Sequence, residues 1–230
     1  MTRLSSPARA GARDAVGGLV LLGAAWAALA SPALGRLDVR AGDALRRCGR
    51  PSIDRVAVAT TDLGSLYAVG GAATTLAALG RRDVAAEVAA VGAAGWVASQ
   101  ASKAGVGRQR PYEAQGTARL IRPPTGTSFP SGHAAVATAL GAVLARDTGG
   151  RVGPVVLGTL GPYVCVSRVY AGVHYPTDVI GGAGLGLLLA AAWRGPVARG
   201  GTRAVDAAAR GARSVALSLA RGLRRVAARG

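Results

Sequence analysis

His174 stands four residues before Asp178, with Pro176 between them, in the stretch SRVYAGVHYPTD that runs from residue 167 to 178. An imidazole near a carboxylate is suited to nucleophilic attack or proton transfer, because the carboxylate holds one ring nitrogen's proton and aims the other nitrogen outward. The second of the chain's two histidines, His133, closes the pentapeptide FPSGH. Pro130-Ser131-Gly132-His133 reads as a helix start, where free N–H groups and the positive end of the dipole favour a phosphate. Gly132 there lets an anion come close to the backbone. Three cations complete the set: Lys103, Arg110 and Arg168. An arginine offers a planar fork and a lysine a point charge, and three together suit a tetrahedral anion. The chemistry this points to is phosphoryl transfer, with one histidine attacking and the other delivering a proton to the leaving oxygen. Two histidines and one aspartate are too few for a metal site, and no metal or cofactor is expected.

These groups have to be held somewhere, and the rest of the sequence indicates a membrane. Half of the 230 residues are apolar, mostly Ala, Gly, Val and Leu, and they are gathered into blocks separated by Arg-rich breaks. Six blocks can be marked, at 15–34, 56–80, 84–102, 132–145, 152–166 and 179–193. The first three are long enough to span a bilayer, whereas the others need their flanks to reach about 20 residues. Abundant Gly and Ala suit close helix contact in lipid, and the GGAGLG run at 181–186 reads as a packing face because no phosphate-loop lysine follows it. The net charge of +17 raises nucleic acid as a partner. The basic residues flank apolar blocks, however, without an aromatic-interleaved basic surface, so no nucleic acid is expected. Cys48 and Cys165 stand alone and outline neither a disulfide framework nor a metal site. Only one of the 28 cationic residues is a lysine, Lys103. That bias looks like GC-rich coding, against which a single lysine stands out.

The positive-inside rule orients the chain. With the N-terminus inside, the cytoplasmic segments carry Arg3, Arg9 and Arg13, then Arg81 and Arg82, then Arg146 and Arg151, then an Arg-rich tail. The first block has two readings, an uncleaved anchor or a leader ending at Ala28-Leu29-Ala30, and either puts the following loop outside. Residues 1–14 then form a basic cytoplasmic N-terminus, 15–194 the membrane domain, and 195–230 the cytoplasmic tail. In the tail, Val205, Ala209, Ala212, Ala216, Leu219, Leu223 and Val226 recur at helical spacing opposite several arginines. Such a segment is either a basic amphipathic helix against an anionic leaflet or a solvated, disordered tail. On this topology Lys103, the FPSGH pentapeptide and the SRVYAGVHYPTD stretch all fall at external helix ends.

Each feature alone has an ordinary explanation: a histidine at a helix interface, an arginine anchoring a flank, a turn at Ser131-Gly132. Jointly that explanation fails, since both histidines and the sole lysine fall in three short segments on one face. In order, those segments read K-x6-R-P (Lys103…Arg110-Pro111), P-S-G-H (130–133) and S-R-x5-H-x3-D (Ser167-Arg168…His174…Asp178). They resemble, at every position, the signature of the type 2 phosphatidic acid phosphatase/vanadium haloperoxidase superfamily. The motifs cover a third of the chain, and the six-block layout resembles the membrane branch of that family.

The resemblance implies an all-α polytopic membrane bundle of about six transmembrane helices, working as a metal-independent lipid phosphatase. It implies that His174 is the nucleophile forming a phosphohistidine, oriented by Asp178, and that His133 is the leaving-group acid. Lys103, Arg110, Ser131, Gly132 and Arg168 would be the phosphate cradle. The implied substrate is a lipid phosphate or diphosphate: an isoprenoid diphosphate, phosphatidic acid or phosphatidylglycerol phosphate. The implied location is the plasma membrane, with the site facing the extracytoplasmic side and both termini inside. Lipid-linked phosphotransfer from the same site is the alternative activity. A haloperoxidase fits a short membrane chain poorly, and a non-catalytic lipid-binding relic fits poorly with an intact motif set. The oligomeric state is not indicated.

Overall fold

A computed structural model describes residues 7–193 together with positions 207, 210, 211, 214 and 221. The tail's amphipathic pattern and the first six residues fall outside the described residues. The chain forms helices α1 (Pro7–Ala30), α2 (Pro32–Arg47), α3 (Pro51–Thr60), α4 (Leu66–Ala78), α5 (Arg82–Val106), α6 (Pro111–Ala114), α7 (Gly132–Thr148), α8 (Val152–Tyr170) and α9 (Pro176–Ala192). A 3-10 turn, Thr61–Gly64, joins α3 to α4, and there is no strand among the described residues. The fold is the all-α membrane bundle expected.

Local chemistry sets most boundaries. Proline occupies the first turn of α2, α3, α6 and α9, where its missing N–H costs nothing and its fixed φ suits the helix. The side chains of Ser31, Ser65 and Ser131 accept N-cap hydrogen bonds at α2, α4 and α7. Gly107, at a left-handed φ of 64°, ends α5 and starts the loop that carries Arg110.

Helix α7 is the hub, packed against α5, α8 and α9. Its Val136, Ala139, Leu140 and Val143 meet Val88 and Val91 of α5 and Val69 and Leu76 of α4. On α9 the GGAGLG run is a packing face, as expected. A Cβ on Gly184 would lie 2.8 Å from the Gly18 carbonyl oxygen of α1, and Cβ atoms on Gly182 and Gly186 would overlap the Ser131 and Ala135 carbonyls of α7. Only glycine lets the three backbones approach this closely. The outer surface is apolar, with Val16, Leu19, Val20 and Trp26 of α1 and Val155 and Val166 of α8 exposed, which suits lipid rather than water as the surrounding solvent.

Two expectations need correction. Block 56–80 is not one spanning helix. The 3-10 turn interrupts it, Ser65 caps a fresh start, and α4 has 13 residues, about 20 Å. The turn exists because Thr61 and Gly64 are drawn inward against Arg168 and His133. The segment before this block, expected as an external loop, is helical as α2 and α3. Three helical segments are long and apolar enough to cross a membrane: Gly11–Ala30, Arg82–Ala114 and Val152–Tyr170. Among the shorter bundle helices, α7 and α9 have 17 residues each.

The two ends of the bundle differ in kind. Arg82 starts α5, Arg146 lies in the last turn of α7, and Arg151 precedes α8. Arg146 pairs there with Glu87, and Arg81 with Asp147. Lys103, Ser131 and Arg168 occupy the opposite ends of the same helices, and Asp178 starts α9 beside Ser131.

Candidate active site

Helix ends deliver the charged groups. Lys103 lies in the last turn of α5 and Arg168 in the last turn of α8, while Ser131-Gly132-His133 opens α7 and Asp178 the first turn of α9. Lys103, Arg110, Arg168, His174 and Asp178 are all buried, a costly arrangement unless the charges pair or await a ligand.

Arg168 is 1% exposed. Its Nη1 donates to Thr61 Oγ1 at 2.8 Å, while its Nε is buried without a hydrogen-bond partner among the described residues. Lys103 lies within electrostatic range of Arg110, Arg168 and Asp178, and His133 within range of Arg168 and Lys103. Three cations thus converge on a volume bordered by both histidines.

Arg110 behaves differently from the other two. Its Nε donates to the Gly126 carbonyl at 2.9 Å, Nη2 to Thr125 O at 3.2 Å, and Nη1 both to Val173 O at 2.9 Å and to His174 Nε2 at 3.2 Å. Most of its fork ties the 125–126 and 173–174 backbones together around the histidine. Expected mainly as a phosphate ligand, it is equally a clamp on His174.

His174 sits between α8 and α9, 2% exposed. Burial, with smaller help from Arg110 and Arg168, pushes its pKa down to about 3 and outweighs the upward pull of Asp178. The ring is therefore neutral at ordinary pH. Its Nδ1 lies 3.4 Å from Asp178 Oδ2 and has no properly aligned hydrogen bond, so the pair is a near contact rather than a formed bond. Asp178 is occupied elsewhere. Oδ1 accepts from Arg108 Nη1 at 2.7 Å, and Oδ2 accepts from Ser128 Oγ at 2.5 Å and from the Tyr175 N–H at 2.8 Å.

The helix-start residues have local duties as well. Ser131 Oγ caps α7 by accepting from the Ala134 N–H at 3.4 Å. A Cβ on Gly132 would lie 2.8 Å from Ser99 Oγ, so its missing side chain makes room for α5, a reason other than the anion approach expected. His133 Nε2 lies 3.4 Å from Asp62 Oδ1, with the imidazole partly open to the outside.

Every motif residue expected in the site is brought to this one end of the bundle. Reading the sequence missed Arg108, Asp38, Thr61, Asp62 and Ser128. Arg108 stands among the unspecified positions of the K-x6-R-P segment, and nothing in its spacing separates it from a flank arginine. The others carry no local signal at all.

A cluster of buried cations with two histidines at the ends of membrane helices is the kind of site that suits a phosphorylated ligand. Comparison with known proteins narrows it. A family model described as the PAP2 superfamily matches residues 84–198. A decaprenylphosphoryl-5-phosphoribose phosphatase of Mycolicibacterium smegmatis is 34% identical over 58% of this chain and 73% of its own length. Phosphatidylglycerophosphatase B of Bacillus subtilis is 39% identical over 27% of this chain and 35% of its length. Among solved structures, the PAP2-type phosphatidylglycerolphosphate phosphatase of Bacillus subtilis superposes with a TM-score of 0.62 at 26% identity, covering 76% of this chain and 92% of that one. Aquifex aeolicus LpxE shares the fold, with a TM-score of 0.60 at 24% identity over 67% of this chain and 92% of that one. The chain belongs to the PAP2 superfamily. It is a membrane phosphatase of that family's lipid-phosphatase kind.

Proposed function

We propose that this phosphatase removes a terminal phosphate from a membrane lipid through a phosphohistidine on His174. The observation that carries the reading is the His174 Nε2–Arg110 Nη1 contact at 3.2 Å. A guanidinium can only donate, so Nε2 holds the lone pair, the neutral ring carries its proton on Nδ1, and that proton faces Asp178. When a phosphate enters, its oxygens take up the unused donor of Arg168 and the charges of Lys103 and Arg110, and Nε2 attacks phosphorus in line with the leaving oxygen. Asp178 stabilises the charged ring that results, and His133 gives the leaving lipid oxygen a proton. Water then attacks the phosphohistidine, His133 takes its proton, and inorganic phosphate leaves. The N–H groups at the start of α7, capped by Ser131 and opened by Gly132, add to the cradle. Phosphotransfer to a lipid or sugar hydroxyl differs only in what replaces that water.

The relative matched over 73% of its length favours a polyprenyl-phosphoryl sugar phosphate as substrate. Phosphatidylglycerol phosphate, phosphatidic acid and isoprenoid diphosphates follow. The catalytic unit is residues 15–194, with 195–230 as an appended basic tail that meets the anionic cytoplasmic leaflet. The Arg-flanked end of the bundle faces the cytoplasm of the plasma membrane, so the site opens on the extracytoplasmic side with both termini inside.

The test is phosphate release by purified protein in detergent containing EDTA, from a panel of these lipids, with His174→Ala as control. Release that depends on His174 and persists in EDTA is expected. Release requiring an added divalent ion, or equal release by the control, contradicts the mechanism.

A further inference from the structure

Arg108 is held between two buried carboxylates from distant parts of the chain. Its Nη2 donates to Asp38 Oδ2 of α2 at 2.6 Å, and its Nη1 donates to Asp178 Oδ1 of α9 at 2.7 Å. The Asp38 and Asp178 side chains are 2% and 0% exposed. Thr177 closes the circuit. Its N–H donates to Asp38 Oδ1 at 2.8 Å and its hydroxyl to Asp38 Oδ2 at 2.5 Å, while that hydroxyl accepts from Arg108 Nη1 at 2.6 Å. Arg108 also stacks on Tyr175, its Cζ 3.9 Å from the ring centroid. Asp178 faces His174, and Arg108 takes the Asp178 oxygen that the histidine does not face.

We infer that Asp38 is a positioning residue for catalysis, acting through Arg108 to hold Asp178 in register with His174; this rests on the phosphatase reading above. The arrangement has the features of an orienting chain. A lone Asp178 carboxylate could rotate away from the imidazole, since Nδ1 is at 3.4 Å and not yet bonded. Arg108 pins the far oxygen, and Ser128 and the Tyr175 N–H fix the near one. Arg108 in turn calls for a second anion, because a single carboxylate leaves half of its fork unpaired in a half-buried place. Asp38 supplies it and also holds the start of α9, from which Asp178 projects. Helix α2 lies outside the motif segments, and Asp38 is the residue through which it reaches Arg108 and the start of α9.

A merely structural role for Asp38, as a cap on α9, predicts different behaviour. Asp38→Asn keeps an oxygen for the Thr177 N–H and loses the charge that Arg108 answers. Steady-state kinetics on the best lipid of the panel would compare wild type, Asp38→Asn, Arg108→Gln, the double variant and His174→Ala, with kcat corrected for folded fraction. The expected result is a fall in kcat of roughly 10- to 100-fold for each single variant, KM within about twofold, and a double variant little worse than the poorer single one. Arg108→Lys, which keeps the charge but not the fork, should recover part of the loss. A wild-type kcat per folded molecule in Asp38→Asn, or losses that simply multiply in the double variant, would overturn the inference. If Asp38→Asn does not fold, the kcat-against-KM split in Arg108→Lys and Asp38→Glu decides in the same way. Absence of His174-dependent release in the wild type is a separate failure and counts against the phosphatase reading itself.

Discussion

Arg110 Nη1 meets His174 Nε2 at 3.2 Å while also holding the Val173 carbonyl at 2.9 Å. One guanidinium thereby fixes both the ring and the backbone that carries it. The nitrogen assigned to attack is kept as an acceptor, and in the proposed mechanism the same arginine also meets the phosphate. The planar fork that makes these contacts has no counterpart in lysine, which makes Arg110→Lys a non-conservative change.

Removal of the proposed nucleophile is the primary check. His174→Ala should lower kcat by at least about a thousandfold while leaving the helical circular-dichroism spectrum and Tm close to wild type. Appreciable turnover by a folded variant would assign the nucleophile elsewhere.

Asp178→Asn keeps size and one acceptor oxygen but loses the charge that faces Nδ1. By analogy with other aspartate-oriented histidines, a loss of roughly 10³- to 10⁴-fold in kcat is expected. Stopped-flow or single-turnover release gives the number, and a loss under tenfold would remove Asp178 from the orienting role.

The protonation of His174 gives a pH prediction. Its pKa is pushed down to about 3 by burial, so the ring stays neutral and able to attack as pH falls through the usual histidine range. Two-dimensional NMR of histidine-labelled protein should show no protonation of His174 between pH 8 and pH 5. A midpoint near 6.5 would mean that the ring is solvated and not held as described.

Thr61 is a test of the structure rather than of the motifs. Thr61→Val is nearly isosteric but removes the acceptor for Arg168 Nη1 at 2.8 Å. A buried donor left unpaired costs about 1–3 kcal/mol, and more when it is charged, and Arg168 loses the partner that fixes its guanidinium. A fall of roughly tenfold in kcat/KM is expected, against little effect from Thr60→Val, whose hydroxyl bonds Val56 O and Tyr163 away from Arg168.

Orientation can be read with a native probe. Cys48 is exposed between α2 and α3, at the end of the bundle that carries the site. In a Cys165→Ala background, a membrane-impermeant maleimide should label Cys48 in intact cells. Labelling only after permeabilisation would turn the proposed topology over.

The legible part of this protein was the part with local rules. Apolar blocks, Arg-rich flanks and the proline and serine helix starts depend on neighbouring residues, so the membrane class, most of the helices and the end on which His133 and His174 lie followed from the sequence. The expected loop that folds as α2 and α3 was one exception, and block 56–80 another, because what breaks it is not its own composition but contact with Arg168 and His133 from other helices. The motif residues were equally visible, since their spacing is what brings them to helix ends. Tertiary structure alone decided which remaining charges join them. Arg108 and Asp38 are 70 residues apart and Thr61 and Arg168 are 107 apart. The chain has many arginines and 11 acidic residues, and nothing along the sequence distinguishes Asp38 from Asp43. Only burial does so. Once the helices close, an ion left in the interior must find a partner, and α2 reaches Arg108 at Asp38.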